Sequence, residues 1–388
     1  MQHHADTTAF DWQPRTRLVC GPGTLAQVGK LAAELGGQRV LLVTDKGIVA
    51  AGHVARAQAA LEAAGLRVIV DDGVRENPTT LDVARCLALA LAGRVDLLIG
   101  LGGGSSMDTA KGCNFLLTNG GEMRDYWGVG KAALPMLPFI AIPTTAGTGS
   151  ECQSAALIAD ETTHQKMACL DPKAAARIAL LDPLLTLSQP PRVTACTGVD
   201  ALAHAVETAV TTRRTPLSVL FSKEAFRLCV QALPRVLSHP SDLAARAQMQ
   251  LGAAHAGLAI EASMLGAAHS AANPLTAHHH LPHGQAVGLV LPAIVRFNAT
   301  ATPTTPTTPA ADYRDICAAA GLRDAEALAQ RLEEILTLSG LATRLRHHGV
   351  TPAQIPALAE EAAQQWTAQF NPRPITPPDF AQIYTSLL

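Results

Sequence analysis

The chain has 388 residues, of which 48% are apolar and 16% charged, and its formal net charge is −2 at pH 7. This length exceeds that of one ordinary hydrophobic core, so we expect two domains. The net charge is close to zero and no lysine- or arginine-rich block is present, which argues against a nucleic-acid-binding protein. Because the chain starts with polar residues and its apolar runs are short, we expect neither a signal sequence nor a membrane span.

The first half of the chain alternates between strand-like and helix-like patterns. Short apolar runs predict strands at 39–45, 66–74, 95–104 and within 138–151, and alanine-rich stretches predict helices at 51–65 and 80–94. Strands that alternate with helices at this spacing indicate a parallel sheet wound by right-handed crossovers. Phosphate-bearing ligands bind such sheets at the carboxyl ends of the strands.

From about residue 191 helical periodicity dominates, and only "GQAVGLVLP" (284–292) has a strand signal. We place a boundary near 188–191, at "SQPPR", and predict a Rossmann-like α/β domain over 1–190 and an all-helical domain over 191–388. The Pro/Thr segment 302–309 is predicted to be a surface loop, because proline interrupts helices and central strands. The eight cysteines stand singly, without Cys-x-x-Cys spacing, which favours reduced, buried thiols in a cytoplasmic protein.

Two turns rich in small residues follow neighbouring predicted strands. In "GGGSSMDTAK" (102–111) the glycines form a turn, and the helix after it can present free N–H groups to a pyrophosphate. The spacing is neither the Rossmann nor the Walker pattern, and a glycine turn of this kind can be purely structural. The second turn, "PTTAGTGSE" (143–151), favours phosphate binding by the pair. Asp45, at the end of the first strand, suits either a ribose contact or a plain turn.

Two histidine-containing stretches in the second half could bind a metal. Asp200 and His204, in "TGVDALAHAVE" (197–207), are four residues apart and share one helix face, with Glu207 a further turn along. A capping aspartate and a buried histidine explain this pattern equally well.

The other stretch, "GAAHSAANPLTAHHHLPHGQAVGLVLP" (266–292), contains Pro274 and Pro282, which predict a helix end, a connection and a new segment. Chain reversal could bring His269 and His283 together. The run His278–His280 is predicted to be mostly exposed, because its side chains cannot all face one point.

Taken in order, these motifs resemble the iron-containing (group III) alcohol dehydrogenase family, with its dehydroquinate-synthase-like fold. The resemblance covers nearly the whole chain, from "CGPGTL" (20–25) through "GGGSSMDTAKG" and "IPTTAGTGSE" to "TGVDALAHAVE" and "LPHGQAVGLVLP". It implies a nucleotide-binding α/β domain beside a helical domain, with the active site in the cleft between them.

The resemblance also implies the residues of the site. The metal, Fe(II) or alternatively Zn(II), is expected to bind three imidazoles and a carboxylate. These ligands are Asp200, His204, His269 and His283. The cofactor is expected to be NAD rather than NADP, because of the carboxylate at position 45. The expected cofactor contacts are Asp45, Asn77, Gly103, Gly104, Ser105, Asp108, Thr144, Thr145, Thr148 and Lys166.

One position departs from the family pattern. Asn273 stands where many members have a second histidine, which makes it a candidate catalytic position. An asparagine cannot carry a proton at neutral pH, so a relay through this position is in doubt. Solvent, or one of His278–His280, could replace it.

The implied activity is that of an NAD-linked, metal-dependent alcohol dehydrogenase or aldehyde reductase. Its substrate is expected to be a small alcohol or functionalised aldehyde, and the chain is expected to form a homodimer or a higher homo-oligomer. Three alternatives stay open: a maleylacetate-reductase-like oxidoreductase, a dehydroquinate-synthase-type lyase with catalytic NAD, and a non-catalytic binding protein. Net NADH production separates a dehydrogenase from the lyase, and the complete ligand set argues against a binding protein.

Overall fold

The structure, a computed structural model, describes residues 9–163, 165–300 and 309–388. It contains two compact units. The sheet unit spans Gln13–Gln189, and the helical unit consists of Pro190–Leu388 with the described residues before Gln13. Of the predicted Pro/Thr loop, residues 302–308 lie outside the described residues, and Pro309 begins a helix.

The sheet unit contains two sheets and five α-helices within the described residues. Its strands are β1 (Arg17–Cys20), β2 (Arg39–Val43), β3 (Arg67–Asp71), β4 (Leu97–Gly102), β5 (Gly128–Val129), β6 (Phe139–Pro143), β7 (Ala155–Ala159), β8 (Lys166–Leu170) and β9 (Ile178–Leu181). Its helices are α1 (Val28–Glu34), α2 (Lys46–Ala50), α3 (His53–Ala63), α4 (Thr80–Gly93) and α5 (Gly104–Asn119). The larger sheet has the order β1-β9-β6-β4-β2-β3 and is parallel throughout; the smaller has the order β5-β8-β7.

The central strands are almost entirely apolar because both faces of the large sheet are covered. Alternate residues enter two different cores: Leu42 and Ile99 pack on one face, whereas Leu41 and Leu98 pack on the other. The predicted parallel sheet is confirmed, and the two strands that lead to the small-residue turns, β4 and β6, are buried at every residue.

The strand order places these turns beside each other. After β2 the chain moves outward to β3 and then returns to the other side of β2 as β4, so the order reverses between β2 and β4. In open α/β sheets, ligands bind at such a reversal, outside the carboxyl ends of the strands. Asp45 follows β2, and the glycine turn ends β4.

The helical unit is all-helical in its described residues, as predicted. Its helices are α6 (Pro191–Val210), α7 (Pro216–Ser238), α8 (Leu243–Glu261), α9 (Ala267–His279), α10 (His283–Ala299), α11 (Pro309–Ala319), α12 (Ala325–Leu338), α13 (Ile355–Gln364) and α14 (Pro377–Ser386). The central helix, α6, is buried along nearly its whole length, which its many alanines permit by allowing neighbouring helices to approach. No helix among the described residues is long and apolar enough to cross a membrane.

Two local expectations for the helical unit are wrong. The strand signal at 284–292 belongs to α10, because a helix buried on most of its circumference shows the same apolar run as a buried strand. Pro274 does not end a helix: it lies inside α9, which packs against α10 and α13. Tertiary packing outweighs the loss of one helical hydrogen bond at this proline.

The eight cysteines all lie in the described part of the chain, and none of them forms a disulfide there. Seven are buried, and Cys20, at the end of β1, is exposed.

Candidate functional site

Three histidine side chains of the helical unit converge on one carboxylate oxygen, that of Asp200. The Nε2 atom of His204 lies 3.5 Å from Asp200 Oδ1, that of His269 lies 3.6 Å away, and that of His283 lies 4.0 Å away. The ligand atoms of Asp200, His269 and His283 lie within 4.8 Å of one another. The ring of His204 stacks on that of His269, with centroids 4.9 Å apart. The structure thus brings together all four predicted metal ligands.

The donor set fits a divalent metal. Asp200 Oδ1 and His269 Nε2 are both buried and have no hydrogen-bond partner among the described residues. Leaving such atoms unsatisfied is costly, and a cation between them would satisfy both. Three imidazoles and one carboxylate suit Fe(II) or Zn(II).

The electrostatics of the site favour a charged carboxylate. Burial opposes ionisation of Asp200, but the imidazoles of His204, His269 and His283 hold its pKa far below the usual range. Burial also opposes protonation of His269, yet the carboxylates of Glu207 and Asp200 raise its pKa to about 9. A metal and a proton therefore compete for the same imidazole nitrogen.

Close helix packing positions the ligands. Asp200 and His204 lie one turn apart on α6, His269 lies in the first turn of α9, and His283 begins α10. A Cβ added to Gly284 would lie 2.1 Å from the carbonyl oxygen of Cys196 and 3.1 Å from Asp200 Cβ. The glycine after His283 therefore lets α10 touch α6 beside the ligands.

In the sheet unit, two of the three glycines of the 102–104 turn have a structural reason. Gly102 has φ +152°, and a Cβ there would lie 2.4 Å from Ser106 Oγ. Gly103 is the N-cap of α5, and a Cβ on Gly104 would lie 3.1 Å from Thr148 Cγ2. The turn needs a bare backbone at both ends, and it brings the start of α5 against the second small-residue turn.

The predicted cofactor contacts of three loops meet at this turn. A Cβ added to Gly102 would lie 3.6 Å from Asp45 Oδ2. A Cβ added to Gly103 would lie 3.5 Å from Thr145 Cγ2. Thr144 N donates to the carbonyl oxygen of Gly102 at 2.9 Å. Ser105 is in the first turn of α5, where the helix N–H groups have no partner within the helix.

Asp108 is different, because its carboxylate is used within the chain. It is buried; its Oδ1 accepts from Ser150 Oγ at 2.8 Å and its Oδ2 from the Leu157 N–H at 3.3 Å. Lys111, also buried, donates to the carbonyl oxygen and the hydroxyl of Ser150 at 2.6 and 2.9 Å. Burial raises the pKa of Asp108, and the positive charges of the nearby Lys111 and Lys166 offset part of this increase. These contacts tie α5 to the second turn.

Asn77 lies in the loop between β3 and α4, exposed and with φ 54°. Arg75 anchors this loop through Nη2, which lies 2.9 Å from Oδ2 of the buried Asp82. Although burial opposes ionisation, Arg75 and Arg85 lower the pKa of Asp82 to about 2. The role of Asn77 toward the cofactor stays a prediction.

Asn273 lies one helical turn after His269 on α9, half-buried. Its Nδ2 donates to Gln365 Oε1 at 3.0 Å. His278 and His280 are exposed, as expected, and His279 is half-buried. His278 Nε2 lies 2.6 Å from Glu361 Oε2.

Sequence reasoning assigned no role to two charged residues that support these sites. Glu207, noted only for its helical spacing, contacts His269 directly. Lys111, at the end of the glycine motif, bonds the second turn. The helical spacing from Asp108 to Lys111 was the available signal for the lysine, whereas nothing local predicts the partner of Glu207.

Comparison with known proteins assigns both halves of the chain to one family. The iron-containing alcohol dehydrogenase model matches residues 14–183, and the C-terminal model of the Fe-containing alcohol dehydrogenase family matches residues 194–388. The 1,3-propanediol dehydrogenase of Klebsiella pneumoniae is 33% identical over 382 residues, 97% of this chain and 98% of that one. Lactaldehyde reductase of Escherichia coli strain K12 is 34% identical over 370 residues, 92% of this chain and 94% of that one.

Among solved structures, sulfoacetaldehyde reductase from Bifidobacterium kashiwanohense in complex with NAD+ is 27% identical, with a TM-score of 0.89. The match covers 98% of this chain and 99% of that one. Because both family models match, and the relatives match over almost their whole length, this chain belongs to the iron-containing alcohol dehydrogenase family of oxidoreductases.

Proposed function

We propose that this protein is a metal-dependent, NAD(H)-linked alcohol dehydrogenase or aldehyde reductase for a small alcohol or functionalised aldehyde. The observation that carries the proposal is the convergence of three histidine Nε2 atoms on Asp200 Oδ1. This oxygen is buried and has no hydrogen-bond partner in the described part of the chain. The relatives named above are a propanediol dehydrogenase, a lactaldehyde reductase and a sulfoacetaldehyde reductase. These names support a small substrate with a second polar group.

We assign metal binding to residues 191–388. Asp200, His204, His269 and His283 would hold Fe(II), with Zn(II) as the alternative. When bound, such an ion polarises the substrate oxygen. The burial of Asp200 and His269 keeps water from competing with these ligands.

We assign NAD binding to residues 1–190. The N–H groups at the start of α5 would bind the pyrophosphate, and Gly103 and Gly104 let it approach the backbone. Asp45 would accept hydrogen bonds from the ribose hydroxyls and repel a 2′-phosphate. When bound, NAD supplies the hydride acceptor of the reaction, and NADH the donor. Asn77, Ser105, Asp108, Thr144, Thr145, Thr148 and Lys166 complete the proposed set.

Asn273 would bind or orient rather than transfer a proton. Its amide is held by Gln365 and has no titration near neutral pH. The proton of the reaction would then be exchanged with solvent or with one of His278–His280.

The test is metal analysis of anaerobically purified protein, run with an NADH absorbance assay over small alcohols, diols and aldehydes. We expect one divalent metal per chain and net NADH turnover. Metal and NAD binding without net turnover on any alcohol or aldehyde would favour the lyase alternative.

His283→Ala is expected to lose the metal and to lower kcat/KM by roughly 1,000-fold, because several kcal/mol of Lewis-acid stabilisation disappear. The control is His239→Ala, which removes an exposed histidine at the end of α7. Normal turnover and full metal content in His283→Ala would contradict the ligand assignment.

We also propose a cytoplasmic homodimer or higher homo-oligomer. The free cysteines support a reducing compartment. Light scattering coupled to gel filtration measures the assembly, and a monomer at all concentrations would contradict it.

A further inference from the structure

A second carboxylate lies behind the candidate metal centre. Glu207, on α6, is buried, with 4% of its surface exposed. His269 Nδ1 and Glu207 Oε2 form a hydrogen bond. The opposite ring nitrogen, His269 Nε2, is the one that faces Asp200. The imidazole is therefore held between two carboxylates, one on each ring nitrogen.

The other oxygen of Glu207 binds the start of α9. Its Oε1 accepts the backbone N–H of Ala268 at 2.7 Å and that of His269 at 3.4 Å. The N-cap residue, Gly266, has no side chain that could accept these N–H groups. A Cβ added to it would lie 3.2 Å from Glu207 Oε1. One carboxylate therefore fixes both the first turn of α9 and the ring of the histidine in it.

The backbone N–H of Ala267, the residue before Ala268, also has a side-chain acceptor. Asn371 Oδ1 accepts the Ala267 N–H at 3.4 Å and bonds Asn298 Nδ2 at 3.2 Å. The backbone that carries His269 is thus bonded at three successive positions, Ala267, Ala268 and His269, by buried side chains.

We propose that Glu207 is the positioning residue of the metal centre: it keeps the proton of His269 on Nδ1, so that the Nε2 lone pair faces the metal. This rests on the proposed function, because it takes Asp200, His204, His269 and His283 as metal ligands. An imidazole binds a metal only through an unprotonated nitrogen, and a carboxylate on the opposite nitrogen sets that tautomer.

Glu207→Gln separates this role from simple packing. The two carboxylate oxygens accept from opposite partners, the Ala268 N–H and the His269 Nδ1–H, whereas an amide offers only one acceptor. If the amide oxygen keeps the backbone bonds, the amide N–H groups face Nδ1 and favour the tautomer with the proton on Nε2. If the amide turns, its N–H groups meet the backbone N–H of Ala268.

The experiment titrates metal-free full-length protein with Co²⁺ and follows the ligand-field absorption bands. We expect wild type to give intense bands, and Glu207→Gln to bind Co²⁺ roughly 10- to 100-fold more weakly, as removal of a ligand's hydrogen-bond partner typically does. The intensity at saturation is also expected to fall, because one imidazole no longer ligates.

The control is Asp242→Asn, which alters another helix-capping carboxylate of the same unit, one that accepts the Ala245 N–H at 3.0 Å and touches no proposed ligand. It is expected to keep wild-type Co²⁺ affinity. Equal affinity and spectra for Glu207→Gln and wild type would overturn the inference, whereas failure of wild type to bind Co²⁺ would overturn the proposed function itself.

If Glu207→Gln does not fold, nitrogen NMR of histidine-labelled, Zn²⁺-loaded wild type decides the same point. The inference requires His269 to carry its proton on Nδ1 and to ligate through Nε2, and a His269 that ligates through Nδ1 would overturn it.

Discussion

Asp45 uses its two carboxylate oxygens in different ways. Oδ1 accepts the Ile48 N–H at 3.0 Å and so caps α2, whereas Oδ2 faces the glycine turn after β4. Capping needs only a hydrogen-bond acceptor. Discrimination against a 2′-phosphate needs negative charge. The two functions of this side chain can therefore be separated by removing the charge alone.

Asp45→Asn keeps an acceptor for the cap and abolishes the charge. We expect the ratio of kcat/KM with NAD to that with NADP to fall by roughly tenfold, which corresponds to about 1.4 kcal/mol, with little change in the unfolding temperature. Steady-state kinetics with both cofactors measure it.

The matched control for this prediction is Asp96→Asn. Asp96 lies just before β4, at the amino-terminal ends of the strands and thus at the far end of β4 from the glycine turn. Its Oδ1 accepts the N–H groups of Gln38 and Arg39 at 2.8 Å. Its substitution should leave cofactor preference unaltered. An unchanged preference in Asp45→Asn would remove Asp45 from the cofactor site.

Among the secondary-structure elements, the contact between α6 and α10 decides the geometry of the metal centre. Gly284 and Gly288 share one face of α10, and a Cβ on Gly288 would lie 2.0 Å from Val199 Cγ1. Both positions therefore require a helix surface without side chains. His283, a proposed ligand, immediately precedes the first of these glycines, so any separation of the helices moves it away from Asp200.

Gly284→Ala is expected to lower metal affinity at least about tenfold and to destabilise the fold by about 1–3 kcal/mol, the usual cost of overpacking. The obstacle is a backbone carbonyl, that of Cys196, which cannot rotate away. Metal titration and thermal unfolding of the same samples measure the two effects.

Gly252→Ala provides the comparison, because a Cβ there would lie 2.5 Å from Cys229 Sγ, between α8 and α7. It should be destabilised similarly while keeping its affinity for the metal. Equal metal affinities in the two variants would show that α10 does not set the position of His283.

Across the whole molecule, the two units carry different parts of the predicted chemistry: metal ligands in the helical unit and cofactor turns in the sheet unit. Each unit also buries charge. In the sheet unit, burial raises the pKa of Glu151 to about 7, with Lys111 partly offsetting the effect. The pKa in the folded state exceeds 4.5, the ordinary value for a glutamate. Between these two pH values the folded state therefore keeps a proton that the unfolded chain has lost.

This shift makes global stability depend on pH. The contribution of Glu151 is fully present below pH 4.5 and is lost as the pH rises through 7. We therefore compare the free energies of unfolding of Glu151→Gln and wild type. The value for Glu151→Gln minus that for wild type should increase by about 3 kcal/mol as the pH rises from 5 to 8. Denaturant unfolding of both proteins across this range measures the difference. A pH-independent difference would show that Glu151 does not titrate there.

The sequence predicted well those features that depend on short stretches of chain. Alternating apolar strands and helices indicated the parallel sheet, and the glycine and threonine turns fell at its carboxyl edge. The family resemblance named four ligands, and the structure brings three of them, the histidines, together around the fourth, Asp200. It left undecided what Asn273 does, and the amide pair with Gln365 became visible only in three dimensions.

By itself, then, the sequence determined the fold class, the turns and the chemical types at the metal centre, because strand periodicity, turn chemistry and ligand identity are local properties. Only the tertiary structure decided that 284–292 is helical, that α9 continues through Pro274, and that Glu207 contacts His269. These features depend on packing between segments far apart in the chain; Glu207 and His269, for example, are 62 residues apart. Such packing energies outweigh local preferences, and no pattern within one segment encodes them.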